Sequence, residues 1–210
     1  MLKPTFDLEH ALHEEGCSFV IGIDESGRGT LAASVFAVSV YVPPEAVKYL
    51  VGVVDDSKKL SAKKRNELNR LIRQTCLYQI ASVNHETIDR INILNATKLA
   101  IVNTMDYSSS IFEGFTPCHA LIDGNMSFTD APIFYTSVVK GDCKSVSVAC
   151  ASVVAKEARD GYMCKLAEKY PEYGFEIHKG YATKMHRDAI KKYGPCPVHR
   201  KTFRGVKEYL

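Results

Sequence analysis

Several segments of the chain combine apolar side chains with many β-branched residues, either in alternation with polar positions or as short continuous runs. Turn-forming residues bound these segments, a pattern typical of strands that are buried on one or both faces. The pattern predicts five strands, at residues 18–24, 30–42, 77–83, 118–123 and 133–139.

Apolar positions three or four residues apart predict helices between and after these strands. Expected helices cover about 45–51, 62–75 behind an N-cap at Ser61, about 86–106, about 145–169, and 183–193 up to Gly194. Residues 170–184 are expected to form a loop. The apolar stripe of the third helix comprises Ile88, Ile91, Leu94, Leu99, Ile101 and Val102. Small residues in the fourth helix would let another element pack closely against it: Ala149, Ala151 and Ala155.

Strands come first and then alternate with helices, which predicts an α/β fold around a mixed sheet. The 210 residues, 46% of them hydrophobic, suffice for one well-buried domain, and we expect residues 1–210 to form a single unit. A formal net charge of +3 permits a polyanionic partner but does not require one. The sequence shows neither a signal peptide nor an apolar run long enough for a membrane span, so we expect a cytoplasmic protein with no membrane partner.

The seven cysteines form no C-x-x-C pair and lie mostly within apolar segments. This distribution predicts reduced residues packed in the core rather than disulfides or a zinc site.

Acidic residues follow the predicted strands at three places: Asp24 with Glu25, Asp123, and Asp142. Loops at the carboxyl ends of strands converge in sheets of this kind, so the four carboxylates could share one site. Adjacent residues of a strand point to opposite faces, so Asp24 and Glu25 can share it only if the strand ends between them. Clustered carboxylates repel one another unless cations bind, and hard oxygen ligands favour two Mg²⁺ or Mn²⁺ ions. Alternatively, each acid is only a turn residue.

Glycines surround Arg28 directly after the first acids, and Gly27, Gly29 and Ala32 fit the dinucleotide-binding spacing G-x-G-x-x-[GA]. Such a turn should lead into a helix, whereas a β-rich segment follows here. Two nearby carboxylates would also repel a pyrophosphate. The loop is better interpreted as bare backbone that approaches a ligand, with Arg28 available to a phosphate or simply exposed at the surface.

Six motifs occur in order along most of the chain: D-E-S-G-R-G (24–29), D-S-K-K-L (56–60), L-I-D-G (121–124), a long K-G-D-C-K-S segment (140–160), Y-G-F-E-I-H-K-G-Y-A-T-K-x-H (173–186) and Y-G-P-C-P-V-H-R-K-T-F (193–203). Together they resemble the type 2 ribonucleases H, specifically ribonuclease HII. The resemblance implies a ribonuclease H-like α/β fold with a small C-terminal helical part, in which about 171–210 completes the substrate site. It implies an endonuclease that cuts on the 5′ side of ribonucleotides in RNA/DNA hybrids and of single ribonucleotides in duplex DNA.

The same resemblance implies a role for each matching residue. The metal-binding and catalytic acids would be Asp24, Glu25, Asp123 and Asp142, holding two Mg²⁺ or Mn²⁺ ions. The substrate-binding residues would be Gly27, Arg28 and Gly29 at the ribose 2′-hydroxyl, Tyr181 stacked at the RNA-to-DNA junction, and Lys58 and Lys144 at phosphates. His178 and His199 are expected to pin loops by hydrogen bonds, and Asp160 to be structural. We expect a monomer, and the sequence shows no protein partner.

Some positions depart from the family pattern, namely Ser26 and Thr30, and Ala33 and Ser34, which replace a glycine and a proline. They bear on the conformation of the loop after the glycines. Three rivals are disfavoured: the sister family ribonuclease HIII, which carries an extra N-terminal domain and a glutamate where this chain has Asp142; a silent duplex-binding protein, because the acid set is intact; and a dehydrogenase, because a β-rich segment follows the glycines.

Overall fold

A five-stranded mixed sheet forms the centre of the fold in this computed structural model, which describes residues 3–111 and 118–210. The strands are β1 (Phe19–Ser26), β2 (Val35–Tyr41), β3 (Leu77–Val83), β4 (Cys118–Asp123) and β5 (Phe134–Val138), and their order in the sheet is β3-β2-β1-β4-β5. β1 pairs antiparallel with β2 and parallel with β4. β2 pairs antiparallel with β3, and β4 parallel with β5, so the sheet is mixed as predicted.

Helices cover both faces of this sheet. They are α1 (Asp7–Glu14), α2 (Pro44–Leu50), α3 (Ala62–Thr75), α4 (His85–Ile91), α5 (Ile93–Ile111), α6 (Val146–Lys169), α7 (Phe175–His178) and α8 (Lys184–Tyr193). Short 3₁₀ helices cover Gly141–Cys143, Pro171–Tyr173 and Lys207–Tyr209. Among the described residues, no helix combines the length and apolar character needed to cross a membrane.

The long helix α6 packs unusually closely on the central strand. A Cβ atom added to Gly22 of β1 would lie 2.1 Å from the backbone carbonyl carbon of Ser147. Ala149, Ala151 and Ala155 belong to the core cluster on the same side of the sheet. The close approach expected for this helix is thus confirmed, with the first turn of α6 against the middle of β1. On the other face, Ile21 and Ile23 pack in a separate cluster with α5.

The predicted strands and capped helices at 62–75, 145–169 and 183–193 are largely confirmed, but four other predictions were wrong, one of which is the single helix at 86–106. β2 begins at Val35 rather than residue 30, because Ala33 adopts a left-handed φ of 70° and the segment before it bonds to the C-terminal region. The predicted loop 170–184 contains α7. The expected stripe of the third helix also fails at Leu94 and Leu99, which are 44% and 41% exposed. All seven cysteines are free, and four of them are buried as expected, whereas Cys17 and Cys143 are half-buried and Cys164 is exposed.

The single helix expected at 86–106 is in fact two helices that meet at Asn92. Its φ of 66° lies in the left-handed region, which breaks the helical path, and its side-chain oxygen accepts from the amide of Asn95 at 3.1 Å. Asparagine suits the capping role, but with a ψ of 166° its backbone lies in a region that essentially only glycine enters without strain.

Replacing Asn92 by alanine should therefore lower the free energy of unfolding by about 1 kcal/mol, because the variant loses the cap and keeps the backbone strain. Asn92→Gly is the matched control, since glycine costs only a few tenths of a kcal/mol as a cap and relieves the strain, so this variant should be no less stable than the unsubstituted protein. Urea unfolding of both variants measures the difference. Equal losses in the two would contradict the assignment of strain to Asn92.

Candidate active site

The register of the parallel strands brings two of the predicted acids together. Ile23 of β1 pairs with Ile122 of β4, so the next residues, Asp24 and Asp123, stand level at the carboxyl ends of neighbouring strands. Two positions earlier along β4, Leu121 packs against α6. Because side chains alternate along a strand, both acids belong to the face that α6 covers.

Asp142 reaches the same region from the 3₁₀ helix that precedes α6. The amide of Gly141 donates to Oδ1 of Asp123 at 2.7 Å, which fixes the turn against the end of β4. Lys140 enters the turn with a left-handed φ of 57°. The sharp turn thereby carries the third and fourth acids to one edge of the sheet. Lys144, two residues beyond Asp142, is exposed, and its role as a phosphate contact stays a prediction.

The prediction that the strand must end between Asp24 and Glu25 was wrong. β1 continues through Ser26, and both acids pair with β2. The pairing of β1 with β4 stops at Ile23, so the end of β1 borders β2 alone among the strands. The amide of Glu25 donates to Oδ1 of Asp24 at 2.7 Å, and both residues line one cleft. They share the site because the free strand edge opens into it, not because the strand ends.

Electrostatics show how crowded these carboxylates are. Burial raises the pKa of Asp24 well above its usual range, and the charges of Glu25 and Asp123 raise it further. Burial likewise raises the pKa of Asp142, with the charge of Asp123 as the next cause. Burial also raises the pKa of Glu25, against the opposing effect of Arg28. Each of these groups would be easier to ionise if a cation lay beside it.

Two basic side chains balance part of this charge. Nη1 of Arg28 lies 3.2 Å from Oε1 of Glu25. Burial alone would lower the pKa of Lys58, but nearby carboxylates, Asp24 foremost, raise it overall. The second carboxylate oxygen of Glu25, Oε2, is buried and has no hydrogen-bond partner within the described part of the chain. An unpartnered carboxylate oxygen among hard oxygen donors fits a divalent cation such as Mg²⁺ or Mn²⁺.

An open cleft of about 690 Å³ lies in front of these acids. Its lining includes Asp24, Glu25, the loop Gly27, Arg28 and Gly29, and also Ser57, Lys58, Ile93, Ser152, Lys156 and Tyr181. The structure thus brings most of the predicted site residues to one surface. Asp123, Asp142 and Lys144 are not part of that lining, although the first two act electrostatically on the residues that are.

Tyr181 is 40% exposed and lines the same cleft as Asp24 and Glu25. Its ring centroid lies 5.4 Å from Nζ of Lys156 and 5.6 Å from Cζ of Arg159, distances at which a cation and an aromatic face attract. Backbone pairing joins Tyr181 to Thr30, and the amide of Leu31 donates to the carbonyl oxygen of Gly180 at 2.9 Å. The tyrosine is therefore held directly beside the glycine loop.

Arg200 was not identified from the sequence, although it lies within the motif H-R-K-T-F. Its buried guanidinium donates to four backbone carbonyl oxygens, of Gly27, Arg28, Thr30 and Ala33, at 2.7 to 3.0 Å. One side chain from the C-terminal region thus fixes the whole loop after β1. The departure at Ala33 falls within this loop, in a left-handed conformation that glycine adopts without a Cβ penalty.

Two further residues of the site were missed. Arg159 lies fully buried beneath Gly27, and its Nη2 donates to the carbonyl oxygen of Lys179 at 2.7 Å. Asp56 comes within 4.8 Å of Asp142 and Cys143, measured between possible ligand atoms. Sequence periodicity gives no signal for such long-range contacts. Asp160, expected to be structural, forms an ion pair with Lys156 at 2.9 Å.

The expected loop-pinning role of two histidines is confirmed. His178 contacts the carbonyl oxygen of Tyr173 at 2.6 Å and accepts from the amide of Gly180 at 3.1 Å. His199 accepts from the amide of Cys196 at 2.9 Å.

Comparison with known proteins identifies the family. The family model described as Ribonuclease HII matches residues 21–206, nearly the whole chain. The chain belongs to the ribonuclease HII family. Ribonuclease HII of Caldicellulosiruptor saccharolyticus is 43% identical over 199 residues, which cover 94% of this chain and 93% of that protein. Membership makes this chain a ribonuclease H, an endonuclease, and excludes the dehydrogenase interpretation.

Solved structures share the ribonuclease H-like fold. RNase HII of Archaeoglobus fulgidus, solved in a complex with PCNA, is similar with a TM-score of 0.71 and 24% identity, over 89% of this chain and 95% of that one. Bst-RNase HIII in complex with Mn²⁺ gives a TM-score of 0.76 at 18% identity, over 95% of this chain and 71% of that one. At such identities the likeness shows the fold alone. The match to the ribonuclease HII model decides between the two sister families.

Proposed function

We propose that this ribonuclease HII family member hydrolyses the phosphodiester on the 5′ side of ribonucleotides, both in RNA/DNA hybrids and at single ribonucleotides embedded in duplex DNA. The products would carry a 3′-hydroxyl and a 5′-phosphate. One observation carries the proposal: Asp24, Glu25, the glycine loop and Tyr181 border the same cleft. A phosphate held at the acids would thus lie within reach of groups that can distinguish ribose from deoxyribose.

The acids would hold the divalent cations. Asp24, Glu25, Asp123 and Asp142 supply the oxygen ligands, and the unpartnered Oε2 of Glu25 supports this assignment. Two Mg²⁺ or Mn²⁺ ions bound there would supply an activated water and charge stabilisation at the leaving 3′-oxygen. No side chain then has to act as general base, and the protein contributes mainly by positioning the scissile phosphate.

The glycine loop would recognise the ribose. Arg200 holds the carbonyl oxygens of Gly27 and Arg28 and so fixes the backbone conformation. A Cβ atom at Gly29 would have open space around it, which leaves room for a ligand to approach the backbone closely. The 2′-hydroxyl is the group that distinguishes RNA from DNA, and a rigid backbone can hydrogen-bond to it.

Tyr181 and the lysines would position the rest of the duplex. The half-exposed ring of Tyr181 can stack on the deoxyribose that follows the ribonucleotide, next to the glycine loop to which its backbone is paired. Lys58, beside the acids, can contact a phosphate, and we assign the same role to the exposed Lys144, which lies outside the cleft lining. These contacts give the affinity a salt dependence.

The biological setting follows from this activity. We infer that residues 1–210 act as a single cytoplasmic catalytic unit and as a monomer, with 171–210 completing the substrate site through Tyr181 and Arg200. Removal of misplaced ribonucleotides and of RNA primers would be its role. The sequence shows no protein partner, whereas the Archaeoglobus protein was solved with PCNA; a sliding-clamp partner therefore stays open to a direct binding test.

A gel assay tests the proposed activity. The substrate is labelled duplex DNA that carries one ribonucleotide, incubated with Mg²⁺, with Mn²⁺ or with chelator, and the control duplex differs only by lacking the 2′-hydroxyl. We expect a metal-dependent nick on the 5′ side of the ribonucleotide and no cleavage of the control. Cleavage of long RNA runs alone would support the nuclease activity but contradict the proposed roles of the glycine loop and Tyr181. No cleavage with either metal would favour a silent binding protein.

A further inference from the structure

Three buried histidine rings lie together next to Tyr181, where α7, α8 and the C-terminal segment meet. His178 and His186 are stacked, with ring centroids 4.3 Å apart and planes inclined by 15°. Nε2 of His186 lies 3.0 Å from Nε2 of His199. His186 and His199 are both fully buried. The proposed function uses neither of these two rings, yet one of them contacts the backbone of Tyr181.

The hydrogen-bond partners determine which nitrogen of each ring carries the proton. The amide of Cys196 can only donate, and it does so to Nδ1 of His199 at 2.9 Å, a shorter contact than the 3.3 Å to the carbonyl oxygen of the same residue. The proton of His199 is therefore on Nε2, from which it donates to Nε2 of His186. The proton of His186 is then on Nδ1, which donates to the carbonyl oxygen of Tyr181 at 3.0 Å.

We propose that His186 and His199 form an uncharged hydrogen-bond relay that positions Tyr181 for the RNA-to-DNA junction. This inference rests on the proposed role of Tyr181. The carbonyl of Tyr181 is held by His186, while the residues beside it are held by the glycine loop: Leu31 donates to Gly180, and Thr30 pairs with Tyr181. The relay therefore holds the main-chain carbonyl of Tyr181, while the residues after the glycines hold the backbone beside it.

The C-terminal segment that carries His199 also contacts the glycine loop. The amide of Arg200, the residue after His199, donates to the carbonyl oxygen of Leu31 at 2.9 Å, and the Arg200 side chain holds the loop. The element that anchors the relay therefore also anchors the proposed 2′-hydroxyl site. His186 and His199 act through other groups and touch no substrate, so they are positioning residues rather than catalytic ones.

Two substitutions of His186 separate the relay from general packing. In His186→Asn, the side-chain amide replaces Nδ1 and keeps a donor for the carbonyl of Tyr181. In His186→Gln, the amide reaches the position of Nε2 and loses that donor. Tyr181→Ala is included as the reference for complete loss of the junction contact. Steady-state kinetics of each variant are measured on a single-ribonucleotide duplex and on a long RNA/DNA hybrid.

We expect His186→Gln to lower kcat/KM on the single-ribonucleotide duplex about tenfold relative to the long hybrid, in the same direction as Tyr181→Ala, because small misplacements of a positioning group are costly. His186→Asn should have a ratio of kcat/KM on the two substrates close to that of the unsubstituted protein. Equal losses on both substrates, or the same ratio in both His186 variants, would show a merely structural role and overturn the relay. An unchanged ratio in Tyr181→Ala would overturn the junction role itself, and the inference with it.

A measurement on the unsubstituted protein keeps the relay falsifiable if the variants fold poorly. Long-range ¹H–¹⁵N NMR spectra distinguish the two neutral tautomers of histidine and the charged form. We expect His186 to be protonated on Nδ1 and His199 on Nε2. The opposite tautomer in either ring, or a charged ring at neutral pH, would contradict the relay.

Discussion

Asp24→Asn should abolish cleavage and at the same time raise the thermal stability of the metal-free protein. Asp24 is 6% exposed and faces the negative charges of Glu25 and Asp123. Among the described residues it forms no ion pair with a basic side chain, whereas Glu25 pairs with Arg28. Asparagine keeps the shape and removes the repulsion. The loss of a metal ligand should cost several kcal/mol of transition-state stabilisation, about three orders of magnitude in rate.

The stability gain separates inactivity from unfolding. We expect the melting temperature in chelator to rise by a few degrees, since about 1 kcal/mol shifts it by roughly 2–4 °C in a protein of this size. Added Mg²⁺ should stabilise the unsubstituted protein more than the variant, because the variant binds the ion less well. Duplex affinity, measured by fluorescence anisotropy in chelator, should be retained or increased, since one negative charge facing phosphates is gone.

Asp130→Asn provides the matched control, because Asp130 is an exposed aspartate outside the cleft lining. It should leave cleavage, melting temperature and the Mg²⁺ response unchanged. Metal-dependent cleavage by Asp24→Asn at the original rate would remove Asp24 from the proposed metal site. A lower melting temperature in chelator would contradict the repulsion among the acids.

The acids could be found from the sequence because their placement depends on local rules. Each lies at or just beyond the carboxyl end of a strand whose apolar pattern is visible in the chain, and parallel strands end at a common edge. The parallel register then brings Asp24 level with Asp123. What sequence reasoning misjudged was the way Glu25 joins them. The prediction required β1 to end between Asp24 and Glu25. In the structure β1 continues to Ser26, but its pairing with β4 ends at Ile23, which leaves that edge of β1 open.

The residues that hold the glycine loop in place could not be predicted from such local rules. Arg200 lies more than 160 residues from the carbonyl groups that it binds, with a separation of 167 residues to Ala33. Its motif alone indicates neither burial nor partners, and a basic tail is more often solvated. The same holds for Arg159 and for His186, whose functions depend on contacts between elements that only the folded chain brings together. Patterns of period two or 3.6 carry no information on such contacts.

Gly27→Ala should destabilise the protein and impair cleavage, whereas Gly29→Ala should leave the fold intact. Gly27 has a φ of 103°, and a Cβ atom there would lie 2.4 Å from Nε of Arg159. The Arg159 side chain is fully buried and bound to the carbonyl of Lys179, so it cannot swing away. Backbone strain and steric overlap together should cost about 3 kcal/mol, a fall in melting temperature of roughly 6–12 °C.

Gly29 is the matched control two residues away. Its φ lies outside the left-handed region, and a Cβ atom would have no neighbour within 4 Å. The melting temperature of Gly29→Ala should therefore stay within about 1 °C of that of the unsubstituted protein, as for other surface substitutions. Any loss of cleavage in this variant then reports the approach of the substrate to the loop backbone. Full activity of Gly29→Ala would contradict the proposed contact at the 2′-hydroxyl.

A double-mutant cycle identifies the cause of the Gly27 effect. If the overlap with Arg159 dominates, Gly27→Ala should cost less in an Arg159→Ala background, with an interaction free energy of about 1–2 kcal/mol between the two sites. If backbone strain dominates, the two losses should add. Cleavage should fall in either case by about 100-fold, because a loop displaced by the new methyl group no longer presents its backbone to the ribose. A stable Gly27→Ala variant with unchanged cleavage would show that Arg159 yields after all, and that the loop needs no rigid support.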